Sequence, residues 1–273
     1  MKTSYKNNDK INIKINTKIN NYLYESSIGL KLNLGYSINY FSSFFVFLIM
    51  FVGIILNINA LANQYKIFGK NTLNLVLGFI SWYIFRGIIS GIKNQIRNEQ
   101  LNGVLEQKFL SVYSPLTLTI INQLFSIIIF ILNGFIIFIL IKLLFKFNLN
   151  MKFDFNFIFN FIIYLILFII LSISIGIVFF SLTLLFKELG NLMGIYNFLF
   201  LSILATSSKN ILLNLFPGYP QVMFLKFYLS NNSKYNEFLI YALLNTIFYL
   251  ILSILFYQFS IVYCKKKGTL TLY

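Results

Sequence analysis

Residues 155–186 read FNFIFNFIIYLILFIILSISIGIVFFSLTLLF and contain no charged side chain. A helix needs about 20 apolar residues to cross the hydrocarbon core of a bilayer. A transmembrane strand needs only about 10 and alternates between lipid-facing and lumen-facing residues. Because this run is too long and too uniformly apolar for a strand, it predicts a transmembrane helix.

Five further apolar runs give six predicted spans in all. Besides 155–186, they cover residues 41–62, 73–91, 116–141, 189–208 and 238–264. Over its 273 residues the chain is 58% apolar and 11% charged, whereas a soluble domain is nearer 45–50% apolar and about 25% charged. We therefore predict an all-α integral membrane protein with six transmembrane helices, and we expect it to be a multi-pass protein of a bacterial cytoplasmic membrane.

The same composition excludes several chemistries. The chain has no His and a single Cys, Cys264, which excludes a His-based catalytic or metal site and an internal disulfide. The predicted spans hold no Asp or Glu, whereas ion-coupled carriers usually place one there. We expect no catalytic, metal or cofactor site and hence no enzyme. The net charge of +15 is spread between apolar runs, which favours contact with the lipid bilayer or a general compositional bias over nucleic acid as a partner.

The distribution of Lys and Arg predicts the orientation in the membrane. Six spans place both termini on one side, and the basic residues are more frequent on the side of the N-terminus, which favours N-in/C-in. Arg86, inside the second span, is expected to snorkel to the cytoplasmic face. Residues 1–21 are predicted to be a basic low-complexity tail. The remainder, 22–273, is predicted to be one transmembrane domain that begins with an interfacial helix.

The most informative polar segment lies between the second and third spans, where residues 93–115 read KNQIRNEQLNGVLEQKFLSVYSP. Leu101, Leu105 and Phe109 recur at i, i+4 and i+8. This spacing predicts a cytoplasmic amphipathic helix over 96–112 with one apolar ridge. An ordinary amphipathic loop that lies on the membrane is the alternative.

The same segment contains a short sequence pattern, which consists of Glu99, GVLEQ at 103–107 and SP at 114–115. It resembles the pattern of type-2 permeases of ATP-binding-cassette (ABC) exporters, in which an acidic residue precedes Gly-Thr-Leu-Glu, an apolar turn and Ser-Pro. Val104 stands where the family usually has Thr.

Three further segments match the same family in the same order. Gly78 and Trp82 are similar to its Gly-x-x-x-Trp segment. The outer-loop sequence PGYP at 217–220 and the tail sequence KGTL at 267–270 also resemble their family counterparts. Together with the six-span layout, the resemblance extends over roughly residues 25–270.

The resemblance implies that helix 96–112 is a coupling helix, which seats in a groove on a separate ATPase subunit. The docking residues that it implies are Arg97, Glu99, Leu101, Gly103, Leu105, Glu106 and Phe109. The chain itself lacks a Gly-x-x-x-x-Gly-Lys-Ser/Thr phosphate-binding loop, so ATP would be used by the partner.

The implied function is that of a permease subunit that forms the substrate pathway of an exporter. It would work as a homodimer or as a heterodimer with a second permease. Its aromatic richness, with 33 Phe and 18 Tyr, favours a hydrophobic or amphipathic substrate such as a drug, a lipid-linked molecule or a peptide. The alternative is a non-transporting membrane anchor or an immunity-type binding protein.

Small and polar residues within the spans predict helix contacts. Gly87 with Gly91, and Gly190 with Gly194, form two Gly-x-x-x-Gly pairs, a spacing that lets helix backbones approach closely. Amide side chains inside the spans are expected to bridge helices more often than to bind substrate. They are Asn122, Gln123, Asn133, Asn160, Asn197 and Asn245.

The loop 209–237 is predicted to form a hairpin on the outer face. It contains two apolar pieces, 211–216 and 221–228. Pro217 and Gly218 between them favour a turn, and Pro220 is placed to open a helix. We therefore expect two short helices here.

Overall fold

The structure is a computed structural model that describes residues 45–46, 48–50, 52–53, 72–110, 114–145, 155–186, 189–205, 211–229 and 234–267. Within these ranges the regular elements are all helices and none is a strand. From residue 72 onward they are α1 (Thr72–Leu101), α2 (Val104–Leu110), α3 (Pro115–Phe145), α4 (Phe155–Phe186), α5 (Gly190–Ala205), the 3₁₀ helix η1 (Ile211–Leu215), α6 (Tyr219–Leu229) and α7 (Tyr235–Lys267).

Four of the described helices are long and apolar enough to cross a membrane. The qualifying stretches are Val76–Leu101 in α1, Pro115–Leu140 in α3, Phe155–Phe186 in α4 and Tyr235–Lys267 in α7. The prediction of an all-helical, membrane-type chain is confirmed for these residues, and the predicted span 155–186 coincides with α4.

The other two spans, and with them the total of six, stay predictions. The described part of α5 has 16 residues and is about 24 Å long, shorter than the bilayer core of about 30 Å. The first predicted span, 41–62, lies outside the described residues except for a few helical positions between 45 and 53. The N-terminal tail and the interfacial helix lie wholly outside them.

Helix α4 packs against α1, α6 and α7. Its second half is buried on nearly every side, including several hydroxyl side chains. Ser172, Ser181 and Thr183 each donate a hydrogen bond to the carbonyl four residues earlier. This local pairing satisfies the hydroxyl groups without help from another helix, so they remain compatible with an apolar core.

Helices α1 and α4 run in the same direction. The hydroxyl oxygens of Ser81 and Tyr164 lie 2.7 Å apart. One turn further along both helices, the ring centroids of Phe85 and Phe168 are 6.0 Å apart. The C-terminal ends of α1 and α4 therefore lie at the same end of the bundle.

Helix α7 also runs in this direction. The ring centroids of Phe180 and Tyr257 are 5.4 Å apart, and Cys264 Sγ donates to Leu184 O at 3.5 Å. Since α4 and α7 advance together, the lysines that end α7 lie at the same end of the bundle as the junction of α1 and α2.

The predicted outer hairpin consists of two short helices, as expected, namely η1 and α6. Gln221 Nε2 donates to Thr246 Oγ1 of α7 at 2.9 Å. Asn245 Nδ2 donates to Asn214 O of η1 at 3.0 Å. The first eight residues of α6 are buried, so α6 packs into the bundle and these hydrogen bonds fix it to α7.

Candidate functional site

The junction of α1 and α2, residues 99–110, forms an elbow that turns at Gly103. Gly103 has a φ of +69°, a left-handed conformation that residues with a side chain rarely adopt. Its N–H donates to Gln100 O at 3.3 Å, which caps the end of α1. The predicted single helix over 96–112 is therefore wrong in its bounds, because Gly103 divides it into the end of α1 and the separate helix α2.

A chain of polar side chains ties the elbow to two long helices. Lys108 Nζ in α2 donates to Glu99 Oε1 in α1 at 2.7 Å. Gln95 Nε2 donates to the same oxygen at 2.9 Å, and Gln123 Nε2 of α3 donates to Gln95 Oε1 at 2.8 Å. The ion-paired side chains are only 11% and 12% exposed, so this pair is screened less than one on the surface.

The turn at Gly103 splits the predicted apolar ridge. Leu105 is 1% exposed and lies in the hydrophobic core together with Ile96. Phe109 packs against the same core, whereas Leu101 is 54% exposed. Leu105 and Phe109 therefore anchor α2 to the bundle instead of forming one exposed ridge with Leu101.

Helix α2 presents a different set of residues to its surroundings, opposite Leu105. Val104, Glu106, Gln107 and Leu110 are all exposed, and Leu110 is 87% exposed. We call these four residues the outward face of the elbow. Of the predicted docking residues, only Glu106 belongs to it.

Val104 and Leu110 were missed as candidate site residues by reasoning from the sequence. The signal that identifies them is Gly103, because a helix that stops at a glycine starts again in a new register. Arg97, a further predicted docking residue, is half-buried near the end of α1.

The first Gly-x-x-x-Gly pair lies at the contact between α1 and α3. A Cβ on Gly87 would come within 2.6 Å of the Phe130 ring, and one on Gly91 within 2.5 Å of Gln123 Oε1. The Phe130 ring leaves no room for a side chain at residue 87, whereas the contact at residue 91 is with the end of a flexible side chain. In the second pair, Gly190 begins α5, and nothing lies within 4 Å of a Cβ on Gly194.

Polar side chains of the spans bridge helices at several of the expected positions. Gln123 reaches Gln95 as described above, and Asn133 Nδ2 donates to Tyr83 Oη at 3.4 Å. With Asn245, these contacts confirm the prediction for three of the six amides. For Asn160 it is wrong, because its side chain donates to the carbonyl of Asn156 within its own helix.

The predicted turn of the hairpin is closely packed. Pro217, Gly218 and Pro220 are all buried. Gly218 has a φ of +85°, and a Cβ there would lie 2.7 Å from the Phe200 ring, so both conformation and space require glycine. Further along α6, Lys226 is 4% exposed, and this burial lowers the pKa of its ammonium group to about 7.

The described part of the chain contains no group of three His, Cys, Asp or Glu side chains placed to hold a metal. Its carboxylates are Glu99 and Glu106 at the elbow and Glu237 in the first turn of α7. The thiol of Cys264 is buried. The exposed apolar and acidic side chains of α2 make the elbow a candidate for docking a partner.

No known protein family matches this chain, and no curated protein matches it either. The likeness to ABC exporter permeases therefore depends on the motifs quoted from the sequence.

Proposed function

We propose that the chain is the transmembrane permease subunit of an ABC exporter, driven by a separate ATPase subunit that docks on the elbow. The observation that carries this proposal is the outward face of α2. It offers exposed apolar side chains beside the carboxylate of Glu106, while Leu105 fixes the opposite side of the same helix in the core. Apolar area supplies affinity in a docking surface, and charge supplies orientation.

The way the elbow is attached supports a mechanical role. An ATPase subunit can move a membrane subunit only if the segment that it contacts is held firmly to the transmembrane helices. The buried pair of Glu99 and Lys108 and the hydrogen bond from Gln123 to Gln95 connect α2 to α1 and α3. A displacement of α2 is therefore passed to both helices.

The complete transporter would contain two permease chains, identical or different, and two ATPase subunits. Closure of the ATPases on ATP would press on the two elbows and switch the pathway from inward to outward access. The exposed surfaces of the long helices are apolar, which supports a hydrophobic or amphipathic substrate and contact with the bilayer.

Site-specific cross-linking tests this docking. Cys264 is the only cysteine and is buried, so a Cys264→Ser variant provides a background without thiols. In this background, Leu110→Cys is labelled with a photoreactive maleimide in membranes that contain an ATP-binding-cassette ATPase encoded beside the chain. Leu215→Cys in η1, where the leucine is similarly exposed, is the matched control.

We expect the label on residue 110 to cross-link to the ATPase and the label on residue 215 not to do so. Cross-linking from neither position, with both variants properly inserted, would contradict the proposal and favour a non-transporting anchor protein.

A further inference from the structure

Arg86 lies at mid-height in the bundle. Its neighbour Phe85 contacts Phe168, near the middle of α4. At 1.5 Å per residue, the end of α1 at Leu101 is about 22 Å further along the helix axis. The guanidinium lies over the Trp82 ring, 5.4 Å from its centroid. Trp82 precedes Arg86 by one helical turn, so it lies farther from the elbow than Arg86 does. The expectation that Arg86 snorkels toward the elbow end is therefore wrong.

Arg86 begins a stripe of polar and basic residues that leads to the elbow. Arg86, Ser90, Lys93 and Arg97 follow at i, i+4, i+7 and i+11, which places them on one face of α1, and all are half-buried. This face differs from the one that Gly87 and Gly91 turn toward α3.

The position of Trp82 below the guanidinium is fixed by a hydrogen bond. Its indole Nε1 donates to the backbone oxygen of Asn197 in α5 at 2.9 Å, and its ring lies 5.3 Å from that of Phe79. An arginine supported on an aromatic face keeps its planar donors oriented for a carboxylate or phosphate. A charged residue at this depth in a membrane protein usually marks a functional site.

We propose that this stripe binds the anionic head group of an amphiphile, a phosphate or carboxylate on an apolar chain, and leads it from the elbow end to Arg86. Lys93 and Arg97 attract the anion at the membrane surface, and Arg86 holds it at mid-height by charge-assisted hydrogen bonds. The apolar chain remains against the lipid-facing side of the bundle. That this amphiphile is the transported substrate rests on the proposed function, but its binding does not.

The protein contains its own reporter for this binding, because Trp82 is the only tryptophan in the chain. The full-length protein, without any ATPase, is placed in phosphatidylcholine nanodiscs. Its fluorescence is then titrated with dibromostearate, whose bromine atoms quench tryptophan on contact, and with methyl dibromostearate as the neutral match. Brominated phosphatidate and brominated phosphatidylcholine form a second pair of probes.

We expect each anionic probe to quench Trp82 at a lower concentration than its match. Quenching by phosphatidate alone would assign the site to a phosphate head group, and quenching by dibromostearate alone to a carboxylate. Equal quenching within both pairs would overturn the proposal. The assay contains no ATPase, so this result is independent of whether the elbow docks one.

Variants separate binding from a structural role of the arginine. Arg86→Gln should weaken the anionic probe at least about tenfold, the effect of losing a hydrogen bond to a charged group. Arg86→Lys should restore part of the affinity, and Lys266→Gln, at an exposed lysine of α7, should leave it unchanged. Unaltered emission in the absence of probe shows that Trp82 is still in place. If an Arg86→Gln protein with unaltered emission still prefers the anionic probe over its match as strongly as the wild type does, the proposal is contradicted.

Discussion

Gly103 is the single residue that determines the shape of the elbow. Its left-handed backbone separates α1 from α2. Nothing lies within 4 Å of a Cβ placed there, so conformation and not packing requires the glycine. Leu105 then fixes α2 in place, because it inserts between the long helices while Leu110, on the same short helix, faces outward.

Leu105 and Leu110 form a matched pair for testing this arrangement. Leu105→Ala should lower the free energy of unfolding by about 2–5 kcal/mol, the usual cost of truncating a buried leucine. Leu110→Ala should change it by less than about 0.5 kcal/mol. Thermal unfolding in detergent micelles measures both, and similar losses for the two variants would show that α2 is not anchored through Leu105.

Lys226 should make stability depend on pH. The unfolded chain keeps the ammonium proton up to a pKa of 10.5, whereas the buried group releases it at a pKa of about 7. Between these values the unfolded state binds more protons, so the free energy of unfolding rises with pH across this window and is lowest below it. Lys226→Met should flatten the rise in thermal unfolding curves, and the exposed Lys266→Met should not. Parallel curves for the wild type and Lys226→Met would contradict this assignment.

At the residue scale, the sequence predicts chemistry better than orientation. Amide side chains within apolar runs need hydrogen-bond partners, and those of Asn133 and Asn245 bond to residues of other helices. Which neighbour an amide can reach depends on the rotation of its helix about the helix axis. Because α4 is apolar on every side, its hydropathy pattern does not show which face points into the bundle. Asn160 bonds within its own helix for this reason, and the position of Arg86 above Trp82 was not predictable either.

At the scale of the helices, hydropathy locates a membrane segment and not the end of a helix. The bounds of α4 follow from its sequence because its apolar run and its helix end together. In α1 the apolar run ends near Gly91, yet the helix continues to Leu101. Backbone hydrogen bonds do not require apolar side chains, so the helix continues through polar residues. It ends before Gly103 because this glycine adopts a left-handed backbone conformation.

The two Gly-x-x-x-Gly pairs should respond differently to substitution. Gly87→Leu places a side chain where the Phe130 ring already lies, and we expect a loss of about 1–3 kcal/mol, the usual cost of overpacking. Gly194→Leu meets open space and should be tolerated within about 0.5 kcal/mol. Thermal unfolding of both in the same detergent distinguishes them, and an unchanged stability of Gly87→Leu would mean that the α1–α3 contact is not close.

At the scale of the whole molecule, the shared direction of α1, α4 and α7 predicts sidedness. In the Cys264→Ser background, Gln107→Cys in the elbow and Lys266→Cys at the end of α7 should react with an impermeant maleimide from one side of the membrane. Leu215→Cys in η1 should react from the other. Opposite labelling of residues 107 and 266 would contradict the arrangement of the helices. Labelling of the first two from the cytoplasm would also establish the predicted C-in orientation.

The central claim is that an external ATPase drives this chain through the outward face of the elbow. The most direct measurement is ATP hydrolysis by the partner ATPase reconstituted with the chain in vesicles. With the wild-type chain and with Leu215→Asp, we expect hydrolysis above the basal rate of the ATPase alone. With Glu106→Arg combined with Leu110→Asp, which alters exposed side chains only, hydrolysis should fall to that basal rate. Full stimulation by this double variant, properly inserted, would contradict the claim.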